Sequence, residues 1–240
     1  MDVATDRAGT VPALDARELY RFYRSGEEET LALRGVSLTV APGELVAVVG
    51  PSGSGKSTLL ACLAGLDEPA GGSVRIAGER ISHRPEAERA GVRARRIGIL
   101  LQTENLIAHL DVARNIRLAR TAAGRHAPPA AGRHATPAQD IDVLLDQVGL
   151  LGRAHALPRE LAGGELARAA LAVALANDPD LLLADEPTGE LDGSTEHRVL
   201  ELLRARGSDG RRGVLLVTHS TAVVAGADRV LTLRDGRLRP

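Results

Sequence analysis

The sequence predicts an α/β fold in which strands that are buried on both faces form a parallel sheet. Three observations lead to this prediction: short runs of continuous aliphatic residues, helical periodicity between those runs, and a glycine-rich segment that joins one run to a helix. Four runs have the required form, namely ELVAVVG (44–50), IGILLQ (97–102), LLLADEP (181–187) and GVLLVTHS (213–220). They alternate with helical patterns, which is the organisation of an α/β protein.

Further elements follow from alternation and from turn residues. The segment LALRGVSLTV (31–40) alternates between apolar and polar residues as a strand does, and APGE (41–44) follows it as a turn. KSTLLACLAGL (56–66) has helical periodicity. The segment RVLTLRDGRL (229–238) predicts a closing hairpin with its turn at Asp235–Gly236.

The middle of the chain, roughly residues 103–178, has a mainly helical pattern, and we expect a helical subdomain there. A Pro/Ala-rich linker, TAAGRHAPPAAGRHATPAQ (121–139), interrupts it and contains AGRHA twice. No ligand of another type accompanies its histidines, His126 and His134. A solvated loop is therefore favoured over a metal site.

The composition is that of an ordinary globular protein, with 240 residues, 44% hydrophobic and 25% charged. The net charge of −1 argues against a nucleic-acid partner. The single cysteine, Cys62, excludes an intramolecular disulfide and reads as a small buried residue of a helix. No segment approaches the ~20 apolar residues that span a bilayer. Residues 1–16 lack the pattern of a secretory signal and read as a disordered tail before one domain, 17–240.

The strongest chemical pattern is GPSGSGKST (50–58), which satisfies G-x-x-x-x-G-K-[ST] between a predicted strand and a predicted helix. Glycines let backbone N–H groups approach phosphate oxygens, and the helix N-terminus adds a favourable dipole. Lys56 is the predicted cation for the β- and γ-phosphates, and the Ser57 hydroxyl is a predicted Mg²⁺ ligand. The predicted nucleotide-binding residues of this loop are Gly50, Pro51, Ser52, Gly53, Ser54, Gly55, Lys56, Ser57 and Thr58. The alternative is a Gly/Ser turn that matches the pattern by chance.

Two carboxylates and a histidine end two of the predicted buried strands. Asp185 and Glu186 follow one strand, and His219 follows another. Because a phosphate loop precedes them in the chain, Asp185 is expected to hold Mg²⁺ through water, and Glu186 is expected to orient and deprotonate the attacking water. His219 is placed to contact a γ-phosphate. Alone, the carboxylates would indicate a solvated strand end and the histidine a structural residue.

With these motifs, the chain resembles the ATP-binding subunits of ABC transporters from about Leu19 to Arg239. The motifs follow the family's order, from an aromatic loop through the phosphate loop and signature to an aspartate loop and a histidine loop. GPSGSGKSTLLACLAGLDEP, LADEPTGELD and RVLTLRDGRL resemble most the group that serves lipoprotein-release, macrolide- and peptide-export and cell-division permeases. The resemblance implies a P-loop ATPase fold: a RecA-like mixed sheet, an antiparallel β subdomain and an inserted helical subdomain.

The resemblance also assigns roles to residues outside the phosphate loop. Gln102 would sense Mg²⁺ and the γ-phosphate as a metal ligand, and Asp192 would lie in the dimer loop. Lys56, Glu186 and His219 would be the catalytic residues. The segment TENLIAHLDVARNI (103–116) resembles the surface that receives the coupling helix of a permease.

All three aromatic residues of the chain, Tyr20, Phe22 and Tyr23, lie within four consecutive positions. In the family an aromatic ring here stacks on adenine, and RFYRSG matches the basic-x-Tyr-x-x-Gly spacing, which assigns the role to Tyr23. Stacking of a base on an aromatic side chain is worth ~1–3 kcal/mol. Tyr20 is the second candidate. The other interpretation is strand packing, which we expect for Tyr20 and Phe22.

The signature departs from the family pattern Leu-Ser-Gly-Gly-Gln/Glu. Its residues are Ala162, Gly163, Gly164 and Glu165, and the resemblance implies that they act on the ATP of the opposite subunit. Ala162 replaces the serine and so removes one hydrogen bond to a charged group, ~1.5–3 kcal/mol. The glycine N–H groups and the helix dipole remain. We expect slow ATP turnover in a homodimer, or one intact and one degenerate site in a heterodimer.

The sequence thus predicts an ATP- and Mg²⁺-dependent ATPase that works as a dimer and powers a separate transmembrane permease. Its predicted place is the cytoplasmic side of the cell membrane, as a peripheral protein. Alternatives are an ATP-dependent signalling subunit of a permease-like partner, a non-transport ABC ATPase of DNA repair or translation, and a small-molecule kinase. The last two lack support, since the chain shows no coiled coil and no second cassette and carries signature and histidine loops.

Overall fold

The computed structural model of this chain describes residues 10–25, 28–102, 105–125, 141–188, 193–207, 210 and 212–239. The strands in these ranges are β1 (Leu14–Ser25), β2 (Glu28–Val40), β3 (Leu45–Val49), β4 (Gly71–Ile76), β5 (Glu79–Arg80), β6 (Ile97–Leu100), β7 (Leu181–Asp185), β8 (Gly213–Val217), β9 (Arg229–Arg234) and β10 (Arg237–Arg239). The helices are α1 (Lys56–Leu63), α2 (Glu86–Arg96), α3 (Val112–Arg125), α4 (Ile141–Gln147), α5 (Gly163–Leu175), α6 (Gly193–Gly207) and α7 (Thr221–Ala225). Two short 3₁₀ turns lie at Leu151–Arg153 and Pro158–Glu160.

The predicted parallel sheet is confirmed. It has six strands in the order β10-β9-β3-β8-β7-β6, and all neighbours are parallel except β10 and β9. Along β7, Leu181 and Leu183 face one hydrophobic cluster, while Leu182 faces another on the opposite side. A strand covered on both faces needs apolar residues at every position, which is why the runs are continuous. Because β3, β8 and β7 are parallel neighbours, their carboxyl ends share one edge.

A second, antiparallel sheet covers one face of the first. Its order is β2-β1-β4-β5. Leu19 and Leu33 of this sheet join the cluster that contains Val46 and Val48 of β3 and the buried face of α1. Cys62 is buried on that face, as predicted. The mixed sheet and the antiparallel subdomain therefore agree with the expected fold class.

The predicted boundary between tail and domain is wrong by three residues. β1 begins at Leu14, which pairs with Val40 of β2 and Ile76 of β4, and both Leu14 and Ala16 are buried. Alanine contributes little to a hydrophobic pattern, so the strand start is hard to recognise, although its backbone pairs on both sides. Residues 1–9 lie outside the described part of the chain.

The second core cluster lies between the other face of the parallel sheet and the helices of the middle region. Val112 and Ile116 of α3, Leu144 of α4 and Leu171 of α5 are fully buried in it. The linker histidines predicted to be solvated fall outside the described residues. Within the described ranges, no helix combines the length and the apolar character that crossing a membrane requires.

Candidate functional site

The phosphate loop lies between β3 and α1, as its motif predicts. Gly53 and Gly55 have φ values of 77° and 104°, in the left-handed region that glycine adopts without steric cost. Gly55 directly precedes α1. The Lys56 ammonium group donates to the carbonyl oxygens of Gly50 at 2.8 Å and Pro51 at 3.0 Å. Its charge is thus held inside the loop, which is the position needed to meet phosphate oxygens.

The β9–β10 hairpin supports this loop from outside. The Gly236 N–H donates to the carbonyl oxygen of Ser54 at 3.2 Å, and the Gly236 carbonyl accepts the N–H of Arg34 at 2.8 Å. Asp235 and Gly236 both have positive φ, which confirms the predicted hairpin turn. This support leaves no room on the loop for a side chain at Gly50, whose added Cβ would lie 2.1 Å from the Leu233 carbonyl oxygen.

Ser57 and Asp185 form the oxygen-rich part of the site. The Ser57 hydroxyl lies 3.4 Å from Asp185 Oδ2, although the two residues belong to α1 and β7. Burial and the adjacent charge of Glu186 raise the pKa of Asp185, against the opposing effects of Ser57 and Lys56. A carboxylate destabilised by burial beside a hydroxyl and a second carboxylate is a donor set that suits a hard cation such as Mg²⁺.

The position of Glu186 is set by its left-handed backbone conformation and by hydrogen bonds to residues at and after the end of β8. Its φ is 46°, a left-handed conformation that costs ~1–2 kcal/mol for a residue other than glycine. Its N–H donates to the Val217 carbonyl at 2.8 Å, and its Oε2 accepts the backbone N–H of His219 at 3.1 Å. The His219 ring nitrogen Nε2 lies 3.4 Å from the buried Oε1, which has no donor in good geometry among the described residues. This oxygen therefore has unused capacity to accept a hydrogen bond.

A carboxylate that the sequence analysis missed joins the segments after β7 and β8. Glu196 Oε1 accepts hydrogen bonds from the Thr188 hydroxyl at 3.0 Å and from the Ser220 hydroxyl at 2.6 Å. Thr188 is buried, so this Glu196 bridge satisfies a hydroxyl that would otherwise be unpaired. The bridge holds the segment beyond Glu186 against the segment that carries His219. No motif signals it, because it depends on a helix residue from α6.

Tyr23 lies beside the phosphate loop. Its hydroxyl donates to Asp67 Oδ2 at 2.8 Å and lies 3.5 Å from the Thr58 hydroxyl. Tyr20 instead packs over two glycines: its ring lies 3.6 Å from an added Cβ at Gly71, and its hydroxyl 2.8 Å from one at Gly35. Packing was the role expected for Tyr20, and only Tyr23 is next to the loop.

The signature residues lie at the start of α5. Ala162 precedes the helix and offers no side-chain cap, while its N–H donates to Glu165 Oε2 at 3.0 Å. Arg153 binds both oxygens of Glu165 at 3.0 Å, and these bonds together with the Ala162 N–H lower the pKa of Glu165. No hydrogen bond within the described ranges joins these residues to the phosphate loop.

Two remaining predicted residues are less constrained by the structure. Gln102 follows β6 and is exposed, and the preceding Leu101 exchanges two backbone bonds with the side chain of Asn105. Asp192 falls outside the described residues. Their predicted roles stay predictions.

Comparison with known proteins identifies the family of the chain. The family model of the ABC transporter matches residues 33–189. The lipoprotein-releasing system ATP-binding protein LolD of Pseudomonas syringae pv. tomato is 42% identical over 225 residues, which are 94% of this chain and 96% of that protein. The macrolide export ATP-binding/permease protein MacB of Hyphomonas neptunium is 39% identical over 229 residues. This match covers 95% of the chain but 34% of that protein, so the chain spans about a third of the length of such relatives.

Among solved structures, the dimeric post-hydrolysis state of the ATP-binding cassette MJ0796, bound to ADP and Pi, superimposes with a TM-score of 0.83. It is 32% identical, and the match covers 95% of this chain and 97% of that chain. The family model covers more than half of the chain, and the matched residues include the phosphate loop and the strand-end carboxylates. The chain belongs to the ABC transporter family and is an ATP-binding cassette that hydrolyses ATP.

Proposed function

We propose that this cassette is the ATP-hydrolysing subunit that powers a membrane permease carried on a separate polypeptide, of the export or lipoprotein-release type. The observation that carries the proposal is the meeting of Lys56, Ser57, Asp185, Glu186 and His219 at one edge of the sheet. LolD relatives, which match over nearly their whole length, support a separate permease. The proposed place of action is the cytoplasmic face of the cell membrane.

The residues at this edge of the sheet have different proposed roles in ATP hydrolysis. Lys56 and the loop N–H groups bind the β- and γ-phosphates of ATP, and Tyr23 offers its ring to adenine. Ser57 and Asp185 would hold Mg²⁺, with Gln102 as a further ligand. When bound, this ion supplies positive charge that offsets the charge on the phosphates. Glu186 Oε1 accepts the proton of the attacking water, and the backbone N–H of His219, which donates to Oε2, keeps that carboxylate in position. The His219 ring contacts the γ-phosphate.

The site is proposed to be completed by a second cassette. Gly163 and Gly164 begin α5 with N–H groups that have no partner inside the helix, and a Cβ added at Gly163 would meet no atom within 4 Å. A helix start of this kind binds a γ-phosphate presented by another subunit. Asp192 would act at the same dimer interface, and two ATP molecules would hold the dimer together until hydrolysis.

A second candidate arrangement follows from Ala162. Without a serine hydroxyl, this chain supplies a weakened signature to its partner, whereas its own phosphate loop and carboxylates are complete. Pairing with a different cassette that has a full signature would then give one active site and one weak site. Copurification of the native complex and measurement of its subunit masses distinguish this heterodimer from a homodimer.

The direct test of the proposed function compares Glu186→Gln with Glu201→Gln, the same chemical change at an exposed position of α6. We expect the purified chain to hydrolyse MgATP and Glu186→Gln to slow this at least ~100-fold, because general-base catalysis typically contributes that much. Glu186→Gln should also become dimeric in MgATP, as measured by sedimentation, while Glu201→Gln behaves like the unmodified protein. Full hydrolysis by Glu186→Gln, or no MgATP binding, would refute the proposal.

The proposed permease partner is tested by purifying the chain from membranes. A tagged chain purified from its native cells in mild detergent should bring along a multi-span membrane protein that raises the ATPase rate. A membrane partner whose reconstituted vesicles show ATP-dependent signalling but no movement of substrate would replace transport by signalling as the function. A complex without any membrane protein would contradict both.

A further inference from the structure

We infer that Asp67 and Arg21 are positioning residues that hold the ring of Tyr23 as a preset platform for the nucleotide base. This inference rests on the proposed binding of adenine by Tyr23. Because they orient the ring that binds the base, these two residues would make the site bind a nucleotide more tightly than a triphosphate without a base.

The first observation is the set of hydrogen bonds around Asp67. Arg21 binds its carboxylate with two nitrogens, Nη2 to Oδ1 at 2.7 Å and Nε to Oδ2 at 2.8 Å. The Tyr23 hydroxyl donates to the same Oδ2 at 2.8 Å. A two-point pair between guanidinium and carboxylate fixes both groups in one plane. The orientation of the tyrosine is thereby fixed at its hydroxyl end.

The second observation is the position of the Arg21 guanidinium against the tyrosine ring. Its central carbon lies 4.7 Å from the centroid of the Tyr23 ring, which is a cation–π contact. Residues two apart in a strand lie on the same face, so both side chains reach Asp67 from β1. The guanidinium covers one face of a ring that is 42% exposed, and a purine can stack only on the other. The contact thus selects the stacking face.

The third observation links this platform to the phosphate loop. The Asp67 N–H donates to the Ala61 carbonyl of α1 at 3.1 Å, and Asp67 Oδ1 accepts the N–H of Glu68 at 2.9 Å. The helix α1 begins with Lys56, so one rigid element anchors the phosphate end and the base end of the site. The separation between base platform and phosphate cradle is then fixed before ATP arrives, which reduces the ordering entropy of binding.

The test measures binding of two probes, MgATP and magnesium tripolyphosphate, by calorimetry in the Glu186→Gln background, in which hydrolysis is slow. Tyr23→Ala should weaken MgATP binding ~10-fold, the size expected for loss of one stacked base, and leave tripolyphosphate unchanged. Asp67→Asn should weaken MgATP binding ~5-fold, also without effect on tripolyphosphate. Asp146→Asn, an equal charge change on the exposed side of α4, is the control and should alter neither.

Two outcomes would overturn the inference. Equal weakening of both probes by Asp67→Asn would show a purely structural role for this pair. An unchanged MgATP affinity in Asp67→Asn, together with a loss in Tyr23→Ala, would show that the ring needs no support. Neither outcome touches the proposed ATPase, which fails if the unmodified chain binds no MgATP or if Glu186→Gln hydrolyses it at the full rate.

A second pair of variants keeps the test informative if Asp67→Asn folds poorly. Arg21→Lys retains the charge but loses the planar two-point pair, and we expect a ~3-fold loss for MgATP alone. In Tyr23→Phe the hydroxyl link to Asp67 is already absent, so adding Asp67→Asn should have a smaller effect than it has on the unmodified chain. Additive losses in this double variant would contradict the hydroxyl link.

Discussion

Replacing Ala162 by serine should stabilise the protein and accelerate its ATPase through two separate effects. Ala162 precedes α5 without a side-chain cap, while Glu165 already reaches back to the Ala162 N–H at 3.0 Å. A serine hydroxyl would accept the N–H of Glu165 and complete the reciprocal pair of bonds. Serine in place of alanine at such a position is worth ~1 kcal/mol. For a chain of this size we expect Tm to rise by about 2–4 °C.

The effect of Ala162→Ser on turnover comes from the partner's ATP. A hydroxyl that bonds a charged γ-phosphate contributes ~1.5–3 kcal/mol, which corresponds to a rate increase of at least about tenfold if the bond forms in the transition state. The assay is steady-state phosphate release at a protein concentration above the dimerisation midpoint, beside thermal unfolding without nucleotide. In a homodimer the turnover rate of both sites should increase. In a heterodimer the gain is confined to the site that uses this chain's signature.

The control for Ala162→Ser is Ala122→Ser, at an exposed position inside α3 where serine caps nothing. We expect a slightly lower Tm and an unchanged rate from it, since serine is a weaker helix former than alanine. An Ala162→Ser protein with raised Tm but unchanged turnover would refute the claim that the missing hydroxyl limits the rate. Unchanged Tm and unchanged turnover would refute the assigned position at the helix start as well.

Three further changes test other parts of the site. Gly50→Ala should abolish MgATP binding and lower Tm, because its Cβ would lie 2.1 Å from the Leu233 carbonyl oxygen. Burial and the charge of Glu186 raise the pKa of Asp185 in the folded protein, so this group destabilises the fold once pH has risen through its folded pKa. Asp185→Asn should therefore raise Tm at pH 7 without nucleotide. This gain in Tm should shrink below about pH 4, where the carboxyl group is protonated in both states. Glu196→Ala should lower kcat ~10-fold with little change in KM, and Glu196→Gln should recover most of it.

Each of these changes has its own control or refuting result. Gly124→Ala, where an added Cβ meets nothing within 4 Å, should leave binding intact. Asp146→Asn should not show the pH-dependent Tm gain, and an Asp185→Asn gain that persists at low pH would show that charge is not its cause. If Glu196→Gln is as slow as Glu196→Ala, the acceptor oxygen of the bridge is not what matters.

The sequence predicted well the parts of the protein whose form follows from local rules. A strand that must be covered on two faces reveals itself by an unbroken aliphatic run, so the strands ending at Val49, Asp185 and Val217 could be located. A loop that curls around phosphate needs glycines at fixed spacings, so residues 50–58 could be read directly. The parallel topology then brings the strand ends to one edge without further information.

What the sequence did not reveal depends on pairs of residues far apart in the chain. Asp67 holds Arg21 and Tyr23 across more than forty positions, and Glu196 joins Ser220 to a buried threonine. Nothing in their spacing distinguishes these carboxylates from others on the surface, since only the folded topology makes them neighbours. The family resemblance could assign Tyr23, but not the residues that orient it.

The support of the phosphate loop by the β9–β10 hairpin has a consequence for synthesis on the ribosome. The loop is made when about a quarter of the chain exists, yet its supporting contacts to Leu233 and Gly236 come from codons translated far later. β9 also supplies a neighbour of β3, paired from Val46 to Arg229. A nascent cassette should therefore be unable to capture ATP until this hairpin has left the exit tunnel.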